Sequence, residues 1–150
     1  MRLWRIASGR FDPLDGEGAR RVGGRWNSAG RPVVYTSAHA SLAALEKLVW
    51  VDPEDLPDDL VLFEIDVPDD APMATVEPGD LPPDWTEAGS PACAGLGDRW
   101  LADGAALALV VPSAVIAEER NLLLDPRHPD AARVRLVDSR PFAFDVRLLR

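Results

Sequence analysis

A small set of side chains in this 150-residue sequence could do chemistry together. Arg25 and Trp26 sit side by side in a glycine-flanked loop, Gly23 to Asn27, which runs into the short apolar segment ending at Tyr35. Glu46 follows on a helix-patterned stretch, and Ser113 and Asn121 flank a charged run much later. A guanidinium can hold phosphate through two parallel hydrogen bonds. Trp26 and Tyr35 offer flat faces to a base or a nicotinamide ring. A carboxylate can stabilise positive charge developing on a ribose, and a hydroxyl and an amide can bond sugar or carboxamide. Such a kit suits a dinucleotide whose N-glycosidic bond breaks through an oxocarbenium-like state. Each residue also has a plainer reading. Trp26 could be core, Arg25 solvated and Tyr35 an ordinary strand aromatic. Ser113 follows Pro112 and could cap a turn, and Asn121 could be a turn residue.

Composition narrows the field. The chain carries 25 acidic against 16 basic residues, a net charge of -9. That balance argues against a general nucleic-acid binder, whose affinity rests on neutralising phosphates. It suits a soluble cytoplasmic protein or one that docks on a basic partner. Lys47 is the only lysine. The single cysteine, Cys93, excludes an intrachain disulfide, and His39 and His128 lie too far apart in sequence to suggest a metal site. No secretory signal and no apolar run of membrane-spanning length is visible. GRFDPLDGEG lacks a Walker lysine, GRWNSAG is not a dinucleotide fingerprint, and no G-x-S-x-G elbow surrounds Ser113.

The elements that must position these residues are short. Strands are expected over Met1–Ala7, Pro32–Tyr35, Leu60–Val67, Ala106–Val111, Asn121–Leu124, Val134–Val137 and Phe142–Asp145, with one more near Ala74. Phe11–Gly24 reads as turns. Ser37 is expected to cap a helix running to about Val51, stopped by Asp52-Pro53. Ser90-Pro91 opens a second helix that ends near Gly104. A short helical turn is expected at Asp130. Strands and helices do not alternate regularly. The fold class is therefore α+β, a single domain over residues 1–150, with a compact twisted sheet or split sandwich and helices packed outside. On a helical wheel Leu42, Leu45 and Val49 form the apolar stripe of the first helix, with Leu48 at its far edge. Glu46 falls beside Leu42 and Lys47 points well away. A carboxylate at the margin of a core-facing stripe costs free energy unless it is paired or opens into a cleft.

The runs LWRI, GGRWNSAGRPVVYTS, SLAALEKLV, VVPSAVIAEERNLLLDPRHPD and PFAFD, in that order, resemble the RES domain family over essentially the whole chain. The resemblance implies a fold like that of ADP-ribosyltransferases of the diphtheria-toxin kind. It also implies a toxin of a bacterial type II toxin–antitoxin pair that consumes NAD as substrate, by hydrolysis or phosphorolysis, with no metal. Two alternatives stand beside this: mono-ADP-ribosylation of a cellular protein, and an inactive domain that only holds a partner. The implied partner is an Xre-like helix-turn-helix antitoxin that covers the cleft. Carried over by position, the family arginine, tyrosine, glutamate and serine correspond to Arg25, Tyr35, Glu46 and Ser113. Arg5 and Asn121 match further motif positions, and Arg5 or Arg31 could replace Arg25 in holding phosphate. One departure is Asp125, where relatives carry asparagine. It is expected to cap the turn before Pro126.

Overall fold

The computed structural model describes residues 1–150. Seven strands lie in one sheet: β1 (Arg2–Ser8), β2 (Val34–Ser37), β3 (Leu60–Asp66), β4 (Met73–Thr75), β5 (Ala108–Pro112), β6 (Arg120–Leu124) and β7 (Arg135–Pro141). Their order is β4-β5-β6-β2-β1-β3-β7, and all pairs are antiparallel except β4 with β5. Three α-helices, α1 (Glu17–Val22), α2 (Ala40–Leu48) and α3 (Pro91–Asp103), complete the α+β architecture expected from the sequence. No helix is long and apolar enough to cross a membrane.

The sheet is continuous in order but nearly divided in its middle. β1 and β2 share a single residue pair, Trp4 with Ser37, whereas β1 pairs with β3 along its full length. Two half-sheets, β4-β5-β6-β2 and β1-β3-β7, thus part along the β1–β2 seam. One apolar cluster spans both halves, with Leu3, Phe63 and Ile65 from one and Val34, Leu122 and Leu124 from the other. A second cluster lies under α3 (Leu109, Val111, Leu123, Trp100), and a third lies under α2 (Ile6, Ala43, Leu60, Leu62). Alternation along β5 and β6 sends successive side chains to opposite clusters, as a sheet covered on both faces requires.

Several boundaries differ from the sequence reading. Phe11–Gly24 holds a helix, α1, with no buried residue. It is held by ion pairs from Glu17 to Arg20 and Arg21 rather than by an apolar stripe, so periodicity could not mark it. Ser37 ends β2 instead of capping α2, whose cap position is His39. α2 ends at Leu48, and looser turns carry the chain on to Val51, where its N–H bonds the Leu48 carbonyl at 3.2 Å. Val49 is exposed, because the helix is already ending there. The two expected terminal strands are one strand, β7, and Phe142–Asp145 lies outside it. β7 is an exposed edge strand, so it lacks the alternation that burial imposes. Phe142 and Phe144 instead meet edge to face at 5.1 Å and pack against the cluster under α2.

Candidate active site

A cleft of about 860 Å³ opens over the β1–β2 seam, within the size range of small-molecule sites. Its walls come from β1, β2, α2, the Gly23–Ala29 loop and the start of α3. Arg5, Arg25, Trp26, Tyr35, Glu46 and Asn121 all line it. Ser113 does not; it lies just behind, 1% exposed.

The wall formed by α2 follows from helical spacing. Ala43, Glu46 and Lys47 line the cleft at the i, i+3, i+4 spacing of one helix face, and Trp50, in the turn beyond α2, extends that line. Leu42, on an adjacent face, is buried. The helix therefore presents one stripe to the core and another to the cleft. Lys47 points away from the first and into the second. Its pKa is lowered by burial first and by the nearby Arg5 charge second. Trp50 stands 74% exposed at the mouth, and Val22 stands 83% exposed among the other lining residues.

Glu46 is held asymmetrically. Its Oε1 accepts from Ser113 Oγ at 2.6 Å and from Asn121 Nδ2 at 2.7 Å. Asn121 is itself fixed, because its Oδ1 accepts from Ser37 Oγ at 2.7 Å. Ser113 Oγ accepts the backbone N–H groups of Val115 and Ile116 at 3.1 and 3.0 Å, so its proton is left for Glu46. The other carboxylate oxygen, Oε2, has no protein partner. This relay joins the ends of β2, β5 and β6 to α2. Local sequence marks Ser37 only as a helix cap; its part in the relay comes from strand pairing, since Ser37 lies opposite Asn121.

The loop wall is built differently. Gly24 and Asn27 exchange backbone hydrogen bonds at 3.0 and 3.4 Å, which puts Arg25 and Trp26 at the tip of a tight turn. A Cβ on Gly24 would lie 2.6 Å from the Tyr35 hydroxyl, so only glycine lets the loop close on that ring. The hydroxyl accepts from Trp26 N–H at 3.1 Å and donates to Asn27 Oδ1 at 2.6 Å. Burial pushes the Tyr35 phenol well above its ordinary value. Buried Asn27 donates to the carbonyls of Ala19, Ser28 and Arg31, tying the loop to α1. Trp26 is 3% exposed and packs in the cluster under α3, its ring 6.3 Å from that of Trp85. Its carbonyl oxygen sits 1.6 Å from where a Cβ on Gly97 would stand, so α3 can cross the loop only at glycine. The core reading of Trp26 holds, although the residue is also among those lining the cleft.

Arg25 aims at the chain. Its Nη1 donates to the carbonyls of Trp85 and Glu87 at 2.7 and 3.1 Å, and Nη2 donates to Thr86 at 3.2 Å. Nε and one Nη2 hydrogen remain for any ligand. Arg31 is exposed and is not among the lining residues. Asp125 lies away from the cleft, buried, with Oδ1 accepting from Arg127 N–H at 2.9 Å. It caps its turn, as expected.

A family model described as the RES domain matches residues 2–145. This chain belongs to the RES domain family. Curated RES-family relatives carry toxin names. The chain is 37% identical over 156 residues to a protein of Sphingobium sp. (strain YBL2) named "Prs ADP-ribosylating toxin", covering 99% of this chain and 96% of that one. It is 42% identical over 149 residues to "Toxin Res" of Pseudomonas putida (strain KT2440), covering 94% and 97%. In three dimensions it is similar to a chain in the crystal structure of the M. tuberculosis MbcT-MbcA toxin-antitoxin complex. The TM-score is 0.79 at 22% identity, over 94% of this chain and 83% of that one. That likeness shows the shared fold of this RES chain.

Proposed function

We propose that this RES protein is the toxin of a toxin–antitoxin pair and cleaves NAD at the nicotinamide–ribose bond. The observation that carries the reading is the Glu46 carboxylate. One oxygen is fixed by two donors, and the other is left without a protein partner beside a cleft of dinucleotide size. A carboxylate so placed lowers the barrier when the C1′–N bond breaks. The bonding electrons leave with nicotinamide, which becomes neutral, and C1′ becomes cationic. The anion need not reorganise, because Ser113 and Asn121 already set its direction. Ser113 acts here as a positioning residue. Water then gives ADP-ribose and a proton, and phosphate gives a ribosyl phosphate.

A second reading is favoured by one finding: the Sphingobium relative is named an ADP-ribosylating toxin. The acceptor would then be a side chain of a cellular protein. Incubation with NAD, with and without phosphate and with cell extract, followed by mass spectrometry of products, separates the acceptors. Intact NAD in every arm would sink both readings.

The partner we infer is an antitoxin that covers the cleft, with the exposed Trp50 and Val22 as apolar anchors at its rim. An Xre-like helix-turn-helix protein, basic enough to hold DNA, would complement an acidic toxin. Titrating NAD into the purified pair tests occlusion. Turnover at the free toxin's rate would exclude it.

A further inference from the structure

In a protein of net charge -9 the cleft is lined by Arg5, Arg25 and Lys47 against one carboxylate, Glu46. None of the three cations makes a salt bridge, whereas Arg2, Arg10, Arg20, Arg21, Arg120, Arg133 and Arg147 all do. Arg25 has its three hydrogen bonds to backbone carbonyls, as described above. Arg5 is different. Its guanidinium makes one hydrogen bond, from Nη1 to the Tyr35 carbonyl at 3.0 Å, and its Nε is buried with no partner at all. Burial pulls its pKa down, yet a guanidinium stays charged at any usable pH. Asp15 acts on it only from beyond salt-bridge distance, and a buried charge without a close anion is costly. Lys47 stands on the cleft face of α2, one residue beyond Glu46, near enough for the Arg5 charge to be felt more strongly than the opposite charge of Asp59, which already serves Ser8 and Arg10.

We propose that Lys47 is a further substrate-binding residue, which with Arg5, already offered for phosphate by the family resemblance, completes a phosphoryl-binding subsite. The inference rests on the dinucleotide reading for its ligand, but its chemistry is that of any phosphoryl group. The pair would fix the anionic middle of the substrate and so place the ribose against Glu46. The same two cations could instead hold free phosphate as acceptor. In both cases the fork of Arg5 gives direction and Lys47 a mobile point charge.

The test is calorimetric, on the full chain carrying Glu46→Gln so that nothing is consumed. The probes are ADP-ribose, inorganic phosphate and adenosine. Adding Lys47→Met should weaken ADP-ribose binding by roughly tenfold, the scale of one charge-assisted contact. Adenosine binding should not move, and Lys47→Arg should restore most of the loss. If only phosphate affinity falls, the subsite serves the free anion. If neither phosphoryl ligand weakens, or if adenosine weakens in parallel, the proposal is wrong. A second measurement covers the case in which Lys47→Met does not fold. With Lys47 intact, ADP-ribose affinity should drop as salt rises while adenosine affinity stays level, and a salt-insensitive ADP-ribose affinity overturns the subsite. ADP-ribose binding through Lys47, found beside a wild-type chain with Glu46 that leaves NAD intact, would sink the reaction and spare the subsite.

Discussion

The two walls of the cleft use polar groups to opposite ends. On the loop wall nearly every polar atom is satisfied within the chain. Arg25 reaches three carbonyls, the Tyr35 hydroxyl bridges Trp26 and Asn27, and the Asn27 amide reaches three more carbonyls. On the helix wall and the seam the charges are left open. Glu46 Oε2 and Lys47 have no protein partner, and Arg5 Nε is buried alone. Hydrogen-bond accounting thus separates a wall whose polar groups close on the chain itself from a wall that leaves charges open to the cleft. The residues most conspicuous as a motif, Arg25 and Trp26, stand on the first.

That contrast breaks if turnover survives Glu46→Gln. The substitution keeps shape and an acceptor for Ser113 and Asn121 but removes the charge. Turnover should fall by roughly 100-fold or more, with melting temperature near wild type. A large loss of stability with activity retained per folded molecule would put Glu46 among the shaping residues.

Ser113→Ala sharpens the same point. It removes one donor to Glu46 Oε1 and leaves the Val115 and Ile116 N–H groups without their acceptor. We expect turnover to drop by about tenfold, mainly in kcat, with a stability loss of about 1–3 kcal/mol. Denaturant titration alongside steady-state kinetics reads both. A nucleophilic serine would instead lose turnover entirely and show a covalent intermediate in the wild type.

For the loop wall the order of effects reverses. Arg25→Lys cannot span the Trp85, Thr86 and Glu87 carbonyls together. Stability should fall by about 1–2 kcal/mol, with KM rising more than kcat falls as residues 85–87 loosen. Protease cutting near Trp85 should quicken. A variant with unchanged stability and severely weakened NAD binding would return Arg25 to the role of phosphate ligand.

The smallest effect belongs to Tyr35→Phe under alkaline conditions. The folded phenol titrates above its unfolded value of about 10, so the fold binds that proton more tightly than the unfolded chain does. Wild-type stability is complete below about pH 10 and is lost as pH rises beyond it. The phenylalanine variant should be slightly less stable at neutral pH but should decline less steeply above pH 10. Parallel stability curves for the two proteins would contradict this.

Much of this arrangement was legible in the sequence because it rests on local rules. The alternation in Leu60–Val67, the apolar run ending at Pro112 and the turn glycine at Gly104 mark β3, β5 and the end of α3 directly. Glu46, Ser113 and Asn121 could be named as a set through family resemblance. That they converge on one carboxylate oxygen is decided by the pairing of β2 with β6, which no local pattern carries. The cleft-facing stripe of α2 was within reach, since Ala43, Glu46 and Lys47 follow helical spacing and Trp50 continues it past the helix end. It is masked because the apolar stripe of Leu42 and Leu45 dominates the wheel, and because a cleft wall mixes polar and apolar residues. The unpaired state of Arg5 was out of reach. It depends on which acidic side chains other elements happen to bring near.

The parting of β1 from β2 has a consequence in the language of hydrogen exchange. Along β2, Ala38 N–H bonds the Arg120 carbonyl, so by alternation Tyr35 and Ser37 turn their peptide groups toward β1. Ser37 meets Trp4 there, but Tyr35 meets no strand, and the Arg5 side chain takes its carbonyl. The interior of the sheet therefore contains a second pair of edges, latched by a side chain. Amides along this inner edge should exchange early, as those of an outer strand do, although they lie in the centre of the sheet. A bound substrate that engages Arg5 should slow them together, which would make the seam an occupancy gauge readable without any turnover.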